Sequence, residues 1–198
     1  MNFAKLHKEW ISWRIFGCLL VMAFFSACAT ASSPTYVHPK YDFSLVKKVA
    51  VLPLENLSQE QQAGERVRKI VVSELLAAGI LDVIEPAQVN RALNDQGIQS
   101  ITSLSTKQMQ DVGKTLGAQA LILGSVDVYD RINIGGGSFA EVALTLRAVD
   151  IASGAVIWSI SKSAGGTGVV GRLFGFGGDT MYEATQKAVN AAVRTLFQ

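Results

Sequence analysis

Ala120-Leu121-Ile122-Leu123-Gly124-Ser125-Val126-Asp127-Val128-Tyr129-Asp130-Arg131-Ile132-Asn133-Ile134 begins as a continuous apolar run and then alternates. Val126, Val128, Ile132 and Ile134 fall on one side, and Asp127, Tyr129, Arg131 and Asn133 on the other. Gly135-Gly136-Gly137-Ser138 reads as a turn. Phe139 to Ile151 then alternates again, with Val142, Leu144, Leu146 and Ala148 inward. Ser153-Gly154 makes a second turn, leading into Ala155-Val156-Ile157-Trp158-Ser159-Ile160. Side chains of a strand alternate between faces, so period two interrupted by tight turns predicts a three-stranded antiparallel meander with one polar face.

Upstream of this meander the period changes to that of helices. Val49-Ala50-Val51-Leu52-Pro53-Leu54 is continuously apolar, as a strand buried on both faces must be, and Pro53 marks its exit. Between Gln59 and Ala78 the residues Val67, Ile70, Val71, Leu75 and Ala78 recur at helical spacing, with Gly79 as the stop. Asp82 to Glu85 reads as a short strand. Pro86 opens a helix through Gln96, at the position where its missing N–H has no helical partner to lose, and Gly97 ends it. Ser105-Thr106-Lys107-Gln108 is a capping box that starts a helix with Met109, Val112 and Leu116 on one face and Gly117 as stop. Thr180-Met181-Tyr182-Glu183 is a second capping box, starting a helix to Phe197 along Ala184, Ala188, Ala192 and Leu196. The order β-α-β-α-α-β-β-β-α predicts an α/β (mixed α+β) domain: one mixed sheet with a β-α-β start and an antiparallel three-strand meander, helices packed on it.

The N-terminus is a different kind of sequence. Lys5, Lys8 and Arg14 precede the apolar run Ile15 to Phe25, and Ser26 and Ala27 precede Cys28. That order is the basic, apolar and small-residue sequence of a secretory signal, with an apolar run shorter than the ~20 residues of a spanning helix. Phe25-Ser26-Ala27-Cys28 resembles the bacterial lipobox, although Phe25 stands where that family more often has leucine. The resemblance implies cleavage before Cys28, its acylation and anchoring in lipid. Ala29, in place of the aspartate that retains such proteins in the inner membrane, implies the outer membrane. The expected organisation is a signal over 1–27, a lipidated cysteine and flexible tether over 28–43, and a periplasmic domain over 44–198.

The whole chain carries 18 Lys+Arg, 16 Asp+Glu and a net charge of +2 over 198 residues. Losing residues 1–27 removes three bases and Glu9, which leaves a neutral mature chain. With 49% hydrophobic residues the chain is not of the disordered class, and neither its charge nor its pattern calls for nucleic acid. The mature chain retains one cysteine, Cys28, and one histidine, His38, in the tether beside Pro39 and expected to be solvent-exposed. Ser/Cys-His catalysis, a Cys/His metal site and an internal disulfide therefore have no residues to use. Asp127, Asp130, Glu141 and Asp150 could pair, but Asp127, Glu141 and Asp150 suit strand surfaces or turns, and no enzyme is expected. Gly166-Thr167-Gly168-Val169-Val170-Gly171 has the GxGxxG spacing, but no helix follows it and no acidic residue lies about 20 positions on, so no dinucleotide or other small-molecule cofactor is expected. The surrounding segment 165–178 holds seven glycines with Arg172, Leu173, Phe174 and Phe176 among them. It reads either as a loop whose aromatics tuck onto the core or as an exposed apolar loop contacting a partner, a neighbouring subunit or lipid.

Three segments carry a family resemblance: Val49 to Leu54, Leu116-Gly117-Ala118-Gln119-Ala120-Leu121-Ile122-Leu123-Gly124-Ser125, and Val149-Asp150-Ile151-Ala152-Ser153-Gly154-Ala155-Val156-Ile157-Trp158-Ser159. On these the chain resembles the CsgG-like curli-secretion lipoproteins and related small lipoproteins, among them the penicillin-binding-protein activators and the amino-terminal domain of the Tol translocation protein. The resemblance implies a periplasmic α/β domain that binds envelope proteins and sometimes forms rings. The leading expectation is a non-catalytic, outer-membrane-anchored binding or assembly component, with curli-type secretion as its setting. The alternatives are an activator of peptidoglycan synthesis and a subunit of an oligomeric channel. A tether of about fourteen residues reaches ~50 Å at most, which favours a membrane-proximal role. A channel of the curli type needs two hairpins of barrel strands, each strand ~9–11 residues long; Ala120 to Ile151 supplies one, while Lys162 to Gly178 is too short and glycine-rich for a second.

Overall fold

A continuously apolar strand needs cover on both faces, and the strand Lys48–Val51 (β2) obtains it. Val49 and Val51 face a cluster that includes Val67, Val71 and Leu75 of one helix and Ala184, Ala188 and Ala192 of another. Ala50 and Leu52 face a second cluster with Val89, Leu93 and Val112. The sheet is thus the middle of three layers, with two helices on each face. The computed structural model describes residues 34–134, 137–165 and 178–197.

The other strands among these residues are β1 (Thr35–Val37), β3 (Glu55–Asn56), β4 (Asp82–Val83), β5 (Ala120–Ile134), β6 (Gly137–Asp150) and β7 (Val156–Gly165). The helices are α1 (Ala63–Ala78), α2 (Pro86–Asp95), α3 (Thr106–Leu116) and α4 (Met181–Val193), the last continuing as a 3-10 turn over Arg194–Phe197. Strand order is β1-β7-β6-β5-β2-β4, with β3 pairing β5. β2 is parallel to β4 and β5, whereas β5, β6 and β7 form the expected antiparallel meander. The mixed sheet with helices packed on it is as the sequence predicts. Both capping boxes form: Ser105 with Gln108, and Thr180 with Glu183. No helix among the described residues is long and apolar enough to cross a membrane.

Three local expectations are corrected. The register of β5 shifts between Val126 and Val128, so Asp127 is an extra, bulged residue and the faces exchange beyond it. Tyr129, expected on the polar side, is consequently buried with Val126, and Val128 and Ile132 turn to the opposite face half-buried. The bulge is held by hydrogen bonds from Ser125 Oγ (2.6 Å) and Thr145 Oγ1 (2.9 Å) to the Asp127 carboxylate. Second, residues 34–43 are held to the domain although the sequence assigns them to the tether. β1 pairs antiparallel with β7, Tyr36 opposite Ser159 and Val37 opposite Trp158. Backbone pairing and ring packing do this without any apolar periodicity. Third, His38 is half-buried, its ring meeting those of Tyr36 and Tyr41 edge-on.

Candidate functional site

The segments that carry the family resemblance are structural joints. Gly117 ends α3 in the left-handed conformation, and Gln119 then ties the start of β5 to that of β2. Its side-chain Oε1 accepts from the backbone N–H groups of Lys47 (3.2 Å) and Lys48 (2.7 Å), and its own N–H donates to the Lys48 carbonyl. Gly124 on β5 lies opposite Leu146 on β6; a Cβ there would collide with the Thr145 carbonyl oxygen and press on Leu146.

Asp150 closes the β6–β7 turn. Its Oδ2 accepts from the backbone N–H (2.7 Å) and hydroxyl (2.6 Å) of Ser153, and Gly154 completes the turn at φ +74°, a conformation that favours glycine. Its Oδ1 accepts from the Tyr41 hydroxyl at 2.7 Å. Burial pushes the Asp150 carboxyl up. The donors outweigh that: the Ser153 and Tyr41 hydroxyls and the N–H groups of Ser153 and Ala152 hold it below the usual carboxylate range. Tyr41 is pushed above its ordinary value by burial first and by the adjacent Asp150 carboxylate second.

That bond latches the segment 38–46 across one end of the sheet and roofs an apolar groove of about 510 Å³. Ala120, Ile122, Ala148 and Ile157 form its floor, Tyr41 and Phe43 its roof, and Lys47 is its one charged lining residue among those described. It lies where β5 begins, β6 ends and β7 begins.

Arg68 is a buried charge that sequence reasoning passed over. It sits on the apolar face of α1, where a lone basic residue among Val67, Val71 and Leu75 was the available signal. Its Nε donates to the Val51 carbonyl (3.0 Å) and its Nη1 to Asn90 Oδ1 (3.0 Å), so it joins β2, α1 and α2. Burial pulls its pKa below the ordinary arginine value, and Glu65, 3.5 Å away, opposes the shift.

Of the four carboxylates named for pairing, Asp130 and Glu141 lie opposite each other on β5 and β6, and the other two do not join them. Asp127 pins the bulge, Asp150 pins a turn, and Glu141 lies opposite Gly165 at the far end of β6. No group of three or more His, Cys, Asp or Glu placed to hold a metal occurs among the described residues. Cys28, Arg172, Leu173, Phe174 and Phe176 lie outside the described residues, as do the 1–27 signal and residues 28–33 of the tether. Gly165 and Gly178, which bracket the glycine-rich segment, both lie at the end of the sheet opposite the groove, beside Ala140 and Phe139 respectively.

The family model for the curli production assembly/transport component CsgG matches residues 37–198. The chain belongs to the CsgG family. Its fold is similar to that of the PelC dodecamer from Paraburkholderia phytofirmans, with TM-score 0.59 at 19% identity, over 83% of this chain and 96% of that one. It is also similar to lipoprotein GNA1162 from Neisseria meningitidis, with TM-score 0.55 at 18% identity, over 76% of this chain and 98% of that one. No curated protein matches. The match begins at Val37, within the stretch that the sequence assigns to the tether and the structure pairs with the sheet.

Proposed function

We propose that this CsgG-family chain is a non-catalytic, outer-membrane-anchored lipoprotein whose periplasmic domain assembles with copies of itself in a secretion or envelope complex. The observation that carries this reading is the family match over 37–198, joined to a site in which Asp127, Asp150 and Arg68 each hold strands, turns or helices together. Self-association has the support of the similarly folded PelC, which is a dodecamer. Anchoring rests on the lipobox-like Phe25-Ser26-Ala27-Cys28. Two acyl chains hold a protein on a membrane stably where one does not.

A partner contact through Arg172, Leu173, Phe174 and Phe176 fits the same reading. Gly165 and Gly178, which bracket this segment, lie at one end of the sheet, beside Ala140 and Phe139. Intact-mass and peptide analysis of the protein from an outer-membrane fraction tests the anchor. The expected result is a mature chain that begins at an acylated Cys28; an unmodified Cys28, or a mature chain starting elsewhere, overturns it.

A further inference from the structure

We propose that the groove under the Tyr41–Asp150 latch binds one free long-chain fatty acid, its alkyl chain on the Ala120–Ala148 floor and its carboxylate at Lys47.

The groove exists because the floor is made of small residues. Ala120 and Ala148 are both buried on the core face, where larger side chains would close the space. At about 510 Å³ it lies within the range of small-molecule pockets. Apart from Lys47, polar groups around it are engaged within the protein. The Tyr41 hydroxyl donates to Asp150. The Thr195 hydroxyl accepts from Trp158 Nε1 (3.1 Å) and donates to the Ala192 carbonyl (2.7 Å). Ala120, Ile122 and Ala148 pair along the β5–β6 ladder. A peptide laid in this groove would carry amide groups away from water with nothing to bond them, at a substantial penalty. An alkyl chain brings no such groups.

The rim selects the head group. Lys47 is exposed and is the one charged residue among the described lining; Asp42, whose carboxyl Lys47 helps hold down, lies outside that lining, and half-buried His38 also lines the groove. An anion is therefore favoured there over a cation or a neutral head. The ligand is proposed as a free molecule; a groove filled by the lipid of Cys28 would leave no room for added palmitate.

Native mass spectrometry of the full-length chain, released from non-ionic detergent in the presence of palmitate, tests the assignment. We expect one palmitate per chain, lost in Ala148→Leu and in Ala120→Leu, which fill the floor, and weakened about tenfold by Lys47→Glu. Hexadecanol should bind about tenfold more weakly than palmitate for the same reason. Thermal melts accompany each variant, and the two floor variants serve as alternates if one fails to fold. Absence of a palmitate adduct, or an adduct that persists in a folded floor variant, overturns the proposal. So does preferential retention of diacyl phosphatidylglycerol, or a self-associated species that excludes palmitate from the groove.

Discussion

Tyr41 and Asp150 are 109 positions apart in sequence and bonded at 2.7 Å, so each is a sensitive probe of the other. Asp150→Ala leaves the Tyr41 hydroxyl and the Ser153 N–H without their acceptor; we expect a loss of about 1–3 kcal/mol in urea unfolding. The pair contributes to both limbs of the pH profile, with Asp42 and Glu183 sharing the acid one. Asp150 has a folded pKa below its ordinary value, so its stabilisation is present above the normal carboxylate range and is lost as pH falls below about 4. Tyr41 is shifted up, so its contribution is whole below about pH 10 and is lost as pH rises beyond that value. Stability measured against pH should show both limbs; Asp150→Asn should flatten the acid one, and an unchanged acid limb in that variant would refute the assignment. Arg68 offers a contrast within one ion pair. Arg68→Met strands the buried Val51 carbonyl and Asn90, an expected loss of about 1–3 kcal/mol. Glu65→Ala removes a half-exposed partner and should change stability by less than about 1 kcal/mol. Of these residues, the sequence assigned Asp150 to a strand surface or turn and read Ser153-Gly154 just after it as a turn. Tyr41 was not legible, because a latch between residues so far apart leaves no local pattern.

Elements were readable wherever a local rule dominates. The capping boxes at Ser105 and Thr180 mark α3 and α4 because each rests on contacts three residues apart. Thr180→Ala should destabilise by about 1 kcal/mol in thermal melts, with Thr180→Ser recovering most of it. The meander was equally plain, its alternation running over strands of 15, 14 and 10 residues. The bulge at Asp127 was hidden, since Val-Asp-Val-Tyr satisfies period two in either register and only the Ser125 and Thr145 hydroxyls choose between them. β1 was hidden for a related reason: three residues with exposed side chains give no apolar pattern to read. Gly124 links element to motif. Gly124→Ala should cost about 1–3 kcal/mol through backbone collision with Thr145, a value readable by urea unfolding. A neutral substitution would mean that β5 and β6 can separate there.

At the scale of the molecule, the family match and the layered sheet describe a scaffold, and the function proposed for it lies in what that scaffold holds and joins. The quoted family segments mark strand starts and turns, which is why they predicted fold better than activity. Neither the partner surface nor the stoichiometry has a local signature, because an interface is assembled from residues far apart in the chain. The long β5–β6 hairpin, expected as the one candidate for a barrel crossing, has Tyr129, Ala140 and Val142 in the core shared with α4. In this arrangement its distal half builds the domain. The most direct test of the assembly reading is the mass of the acylated, full-length protein extracted from envelopes in mild detergent, measured by light scattering across a range of concentrations. We predict one discrete closed species of more than two chains that persists on dilution; a monomer at every concentration would contradict the account.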